Sequence, residues 1–137
     1  MFHMLLYRTF HAQRNYLRPY ISKLGLGSGQ PKLLAYLNTH GPCQQTQLAK
    51  YFEIDRAAVS RMLETLERGG FLTRKTDEEN RRADIIEITQ KGKAACKAWK
   101  VHCDEMEQVL LKGFGEEEKA AFAAYLTRAY QNLKERA

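Results

Sequence analysis

Two pairs of arginines offer the plainest chemistry in the chain. Arg56 and Arg61 lie within RAAVSRMLETLER, and Arg81 and Arg82 lie within ENRRAD. A guanidinium is always charged and presents a planar fork of donors, which suits phosphate oxygens and the O6/N7 edge of guanine. At ~100° per residue, Val59, Met62, Leu63 and Leu66 gather on one side of a helix. Ala57, Arg61, Glu64 and Arg68 fall opposite them, with Ser60 on the flank. Ala57 and Arg61 sit in the first turns, where a small residue permits close approach. A forked contact from Arg61 to guanine carries about 1–3 kcal/mol of base discrimination. Arg56 stands at the positive end of the helix dipole, in reach of a phosphate. The competing reading of this face is a solvated surface on which Arg61, Glu64 and Arg68 pair at spacings of three and four. Glu64 places a negative charge near any groove the helix would enter.

A second group of residues invites redox or catalytic chemistry. Cys96 and Cys103 are seven positions apart, on one flank of a helix. A rise of ~1.5 Å per residue puts their backbones about 10 Å apart, too far for a bridge within the helix. A bridge to another chain stays open, and so does the ordinary role of small core or surface residues. No CxxC spacing, HExxH, glycine-rich phosphate loop or nucleophile elbow occurs. The reading is a non-enzyme without cofactor or metal.

The totals narrow the class. The chain has 137 residues, 22 Lys and Arg against 16 Asp and Glu, and a formal charge of +6. Basic excess favours acidic partners such as nucleic acid, anionic membrane or acidic protein, without choosing among them. Three cysteines form no disulfide framework and fit a reducing compartment. MFHMLLYRTF lacks a signal-peptide core, and no stretch approaches the ~20 apolar residues of a membrane span. The expectation is a soluble, cytoplasmic protein with no membrane partner.

The elements that must position these residues follow from periodicity and breakers. Phe2, Leu5, Leu6, Phe10, Leu17 and Ile21 make an amphipathic first helix, ended by KLGLGSG. Ser28 is expected to cap a second helix with Pro31 in its first turn, stopped at Gly41 and Pro42. A short helix over QQTQLAKYF buries Leu48, Ala49 and Phe52, and EID breaks it. Asp55 caps the next helix, which runs to Gly69 and Gly70. FLTRKT and ADIIEIT read as strands flanking a loop of about six residues. Thr89 caps a long helix to about Lys112, GFG breaks it, and a last helix runs from about Glu116 to Arg136. Two helices across a short turn, followed by a hairpin, make a helix-turn-helix with a wing. The fold class is mainly α with a small β wing.

The stretch from LAKYFEID through RAAVSRMLETLERGG to FLTRKTDEENRRADIIEITQKG resembles the winged helix-turn-helix of the MarR family of bacterial transcription regulators. The match is carried by Leu48 and Ala49, by Val59, Ser60 and Arg61, by Leu66 with Glu67, and by Gly70 and Arg74. Arg81 with Arg82, and Ile88 with Thr89 followed by Gly92, complete it. GLGSGQPKLLAYLNTHGPCQQTQLA fits the family's second and third helices, so the resemblance covers nearly the whole chain. It implies a homodimeric, sequence-specific regulator of double-stranded DNA, probed through Asp55, Arg56, Ala57, Ser60 and Arg61. Arg82 would enter the minor groove at the wing tip, with Arg81 supporting it. Asn80 stands where the family usually places an aspartate brace, which keeps an acceptor oxygen but not the charge.

The resemblance also divides the chain into a dimerising N-terminal helix (1–27), a DNA-binding unit (28–92) and dimerising C-terminal helices (93–137). Apolar stripes on the terminal helices agree: Ala95, Ala98, Trp99, Met106, Val109 and Leu110 on one, Phe122, Tyr125, Leu126, Ala129, Tyr130 and Leu133 on the other. Such stripes must be buried somewhere, within one subunit or between two. Family effectors, small aromatic acids among them, imply a pocket at the lobe junction, with Trp99, His102, His11 and Arg14 as candidates for a small aromatic or anionic ligand. A core histidine is the competing reading of His102. The resemblance implies a ligand-responsive repressor. The alternatives are a protein-interaction module without sequence-specific DNA binding, and a regulator sensing redox state through Cys96 and Cys103.

Overall fold

The computed structural model describes residues 1–76, 78–79 and 84–136. It has six helices and three short strands: α1 (Phe2–Lys23), α2 (Gln30–His40), β1 (Cys43–Gln44), α3 (Gln45–Phe52), α4 (Arg56–Arg68), β2 (Leu72–Thr76), β3 (Asp84–Ile88), α5 (Gln90–Leu110) and α6 (Glu116–Glu135). The strands form one antiparallel sheet in the order β1-β3-β2, with Leu72 opposite Ile88 and Thr76 opposite Asp84. This is the mainly helical winged helix-turn-helix that the sequence leads one to expect. β1 was not foreseen: two residues carry too little alternation to signal a strand, and only pairing with Ile85 and Ile86 creates it.

The caps on either side of the wing are as read from the sequence. The Ala58 N–H donates to Asp55 Oδ1 at 2.8 Å, and the Gly92 N–H donates to the Thr89 hydroxyl at 3.2 Å. The cap of α2 differs. Gly29, with φ at 81°, occupies that position, and Ser28 does not cap. The Gln30 side chain instead folds back, and its Oε1 accepts the Gly27 N–H at 2.7 Å. The loop is thereby tied by a buried amide. α5 ends at Leu110, two residues before the expected limit, and the chain turns through Gly113 with φ at 87°.

The core lies in the winged unit. Leu33, Leu34, Leu37, Leu48, Val59, Leu63, Leu66, Leu72 and Ile86 are fully buried there. Phe52 and Met62 pack at its margin. Gly92 admits the closest approach: a Cβ there would lie 2.2 Å from the Phe71 carbonyl oxygen, so any larger residue forces α5 away from the β2 strand. The terminal helices are different. α1 buries only Leu17 of its own residues and α6 buries none. Phe2, Leu5, Tyr125 and Leu133 stand open, Phe2 at 86% and Leu133 at 74% exposure. Within α5, Ala95 and Met106 are buried while Val109 and Leu110 are not. Among the described residues, no helix is long and apolar enough to cross a membrane.

Candidate nucleic-acid interface

α4 is held by its buried side and by its ends. Val59, Leu63 and Leu66 fix one face in the core, which leaves Arg56, Ala57, Arg61, Glu64 and Arg68 exposed and Ser60 half-buried. Arg61, Glu64 and Arg68 form no ion pairs with one another among the described residues. Arg56, Arg61 and Arg68 enter no ion pair among the described residues, so their three forks remain available to an outside acceptor. Asp55 is exposed as well, but one of its oxygens is committed to the helix N-terminus. Its first task is to start α4 so that Arg56 and Ala57 fall in the leading turn.

The far end of α4 is joined to the wing by an ion pair that the sequence reading did not foresee. Arg74 on β2 donates from Nε at 3.1 Å and from Nη2 at 2.9 Å to Glu67 Oε1 on α4. The pair is half-buried, with side-chain exposures of 22% and 38%. Its signal was opposite charges seven positions apart across Gly69 and Gly70. The first turn of α5 closes the same corner. Lys91 donates to the Gly69 carbonyl at 2.6 Å and lies 4.6 Å above the Phe71 ring, and the Thr89 hydroxyl donates to the Gly70 carbonyl at 2.6 Å. Recognition helix, hairpin base and long helix are thus tied together at one corner. Arg81 and Arg82, the wing-tip candidates, lie outside the described residues, as does Asn80.

Behind this surface is a cleft of about 680 Å³ where α1, α2 and α5 meet. Arg14, Arg18, Lys32, Ser28, Phe10 and Trp99 are among the residues lining it. Arg14 and Trp99 thus come together as candidates for an anionic or aromatic ligand. His102 and His11 do not line this cleft. The His102 ring stacks on Tyr20 at 4.1 Å, and its buried Nδ1, 3.7 Å from Glu105 Oε2, makes no hydrogen bond among the described residues. One helical turn beyond Trp99, it is taken up by packing between α1 and α5. His11 is exposed and stacks on Tyr7 at 5.8 Å, because residues four apart on α1 share a face. Arg18 and Lys32 are cleft residues the sequence reading missed. Their signal was a basic residue one turn beyond Arg14 and another at the start of α2.

The cysteines are poorly placed for fast thiol chemistry. Burial pushes the Cys96 thiol above its ordinary pKa, and it does the same for Cys103, where Glu107 and Asp104 add to the effect. Both keep less of the reactive thiolate at neutral pH than a free cysteine does. Cys43 is buried in the core and shifted in the same direction.

Comparison with known proteins agrees with this geometry. The MarR family model matches residues 26–83. The chain is 30% identical over 111 residues to the uncharacterized HTH-type transcriptional regulator YybA of Bacillus subtilis, covering 81% of this chain and 74% of that protein. It is 28% identical over 117 residues to the HTH-type transcriptional repressor YetL of the same organism, covering 83% and 70%. A crystal structure of MarR superposes with a TM-score of 0.88 at 27% identity, over 99% of this chain and 93% of that one. These relatives are regulators, not enzymes. The chain belongs to the MarR family of winged helix-turn-helix transcriptional regulators.

Proposed function

We propose that the protein is a homodimeric, ligand-responsive repressor that binds a near-palindromic duplex through α4 and the wing. The observation that carries the DNA-binding part is the exposed Arg56, Ala57 and Arg61 surface on a helix whose N-terminus is capped and whose far end is pinned to the hairpin. Arginines there without an ion pair among the described residues argue against an apolar docking module. The open apolar surface of α1 and α6 supports the dimer, since a second copy is the simplest cover for it. Two recognition helices about 34 Å apart then meet successive major grooves on one face of the duplex. The repressor sense rests on likeness to YetL. The effector reading rests on the cleft, whose Arg14, Arg18 and Lys32 suit an anionic group and whose Trp99 and Phe10 suit an aromatic ring.

The test is enrichment of random duplexes on the purified full chain, with sedimentation at micromolar concentration. The expected result is a selected site with two related half-sites and a particle of close to twice the chain mass. No enriched sequence would end the DNA reading, and a monomer that binds DNA with full affinity would end the dimer. Aromatic acids that release the selected duplex from wild type should fail on Arg14→Ala. Equal release would move the effector site away from this cleft.

A further inference from the structure

Glu53 stands at the turn of the helix-turn-helix. It closes α3, and two residues later Asp55 begins the cap of α4. Among the described residues it is the only one other than glycine with a left-handed backbone, φ 54° and ψ 45°. A residue bearing a Cβ is strained in that conformation and glycine is not. The backbone therefore gives no reason for a glutamate here. Its side chain gives one: the carboxylate pairs with Lys134 Nζ, from the last turn of α6, 81 positions away in sequence. Hydrogen bonding to Glu53 pushes the Lys134 ammonium above the ordinary lysine pKa. Because α6 buries none of its residues, packing alone does not hold its last turn against the helix-turn-helix.

We propose that the Glu53–Lys134 pair is a tether that sets the position of α4 relative to the C-terminal helix. The two are positioning residues for DNA binding, and neither touches DNA. The inference rests on the DNA-binding reading above. In a dimer joined by its terminal helices, the spacing of the two recognition helices depends on how each helix-turn-helix is fixed to those helices. Releasing the tether enlarges the set of orientations, so a smaller fraction of molecules is ready to bind and the apparent affinity falls by that fraction.

Opposed signs make the idea testable. Glu53→Gly removes a negative charge close to α4, so charge alone predicts tighter binding to DNA. It also relieves the backbone, so the fold should become more stable. The tether predicts weaker binding despite both gains. Four full-length proteins are compared on one duplex enriched by wild type: wild type, Lys134→Ala, Glu53→Gly, and the exchange Glu53→Lys with Lys134→Glu. Thermal unfolding and native-state hydrogen exchange of the amides at 54–58 are followed in parallel. Exposed ion pairs are weak, so each single variant should lose about twofold to fivefold in affinity. Glu53→Gly should unfold at a higher temperature, and the exchanged pair should return to within about twofold of wild type. Lys134→Ala should speed exchange at 54–58. Wild-type affinity in Lys134→Ala, or no recovery in the exchanged pair, overturns the tether. If wild type enriches no duplex, the DNA reading fails separately, and unchanged exchange at 54–58 in Lys134→Ala then overturns the tether by itself.

Discussion

Breaking the Glu67–Arg74 pair should loosen the wing from the recognition helix, and its size can be bounded from geometry. Arg74 spends two donors on one carboxylate oxygen, at 3.1 and 2.9 Å. Hydrogen bonds to charged groups contribute about 1.5–3 kcal/mol when shielded from water. Fully exposed ion pairs contribute about 0.2–1 kcal/mol. At 22% and 38% exposure this pair lies between those limits, so Arg74→Met should cost about 1–2 kcal/mol. Methionine keeps an apolar stem over the strand, so the loss reports mainly the charge and its two bonds. For a chain of this length that is a fall of roughly 3–8 °C in melting temperature. Protomer concentration must be held fixed, since a dimer's melting temperature depends on it. The assay is a double-mutant cycle of Arg74→Met and Glu67→Gln by thermal or urea unfolding, with binding to a selected duplex measured on the same proteins. A coupling energy near 1 kcal/mol is expected, together with a loss of DNA affinity in each single variant. Coupling below about 0.3 kcal/mol would mean that the hairpin is held by the sheet and the Lys91 corner instead, and the reasoning would fail.

Three other outcomes follow from the same structure. Asp55→Ala removes the cap on Ala58 and should cost about 1 kcal/mol, with Asp55→Ser recovering most of it in unfolding experiments. Gly92→Ala drives a Cβ toward the Phe71 carbonyl and should destabilise by more than about 3 kcal/mol, read as a large drop in melting temperature or in soluble yield. Cys96 and Cys103 should react with iodoacetamide more slowly than a free cysteine at neutral pH. The difference should narrow as pH rises through their raised pKa values, because the thiolate is the reacting species.

Legibility in the sequence followed the range of the interaction. Asp55, Thr89 and Gly41 act within a few residues, and their roles could be read from type and position. The buried stripe of α4 could be read as well, because helical period alone separates Val59, Leu63 and Leu66 from Arg61. Ser28 misled because two neighbours competed for the same turn: Gly29 accepts a left-handed backbone and Gln30 carries an amide long enough to fold back. Such a choice is settled by burial of the amide, which no local pattern contains. His102 and His11 misled differently. His102 does lie on an apolar side, yet its ring stacks on Tyr20 where α1 meets α5, and the His11 ring stacks on Tyr7 one turn away on α1. Glu67 with Arg74, and Glu53 with Lys134, depend on contacts between elements and had no signature beyond complementary charge.

The placement of the core explains why the two ends of the protein should respond to different perturbations. Among the described residues, every fully buried large side chain belongs to the winged unit, so substitutions there act first on stability. α1 and α6 hold most of their large apolar residues at the surface, so changes there should act first on whatever covers them. Between these regions lie the cleft at α1, α2 and α5 and the ion pair from α6 to the α3–α4 turn. Both touch each region. A ligand in the cleft would press on the α1–α2 corner, while the tether would resist from the other side of the helix-turn-helix. If both act on the pitch of α4, loss of the tether should change how strongly a ligand releases DNA as well as how tightly the free protein binds it. Ligand binding and DNA binding must then shift by the same coupling factor, because the linkage between two binding equilibria is reciprocal.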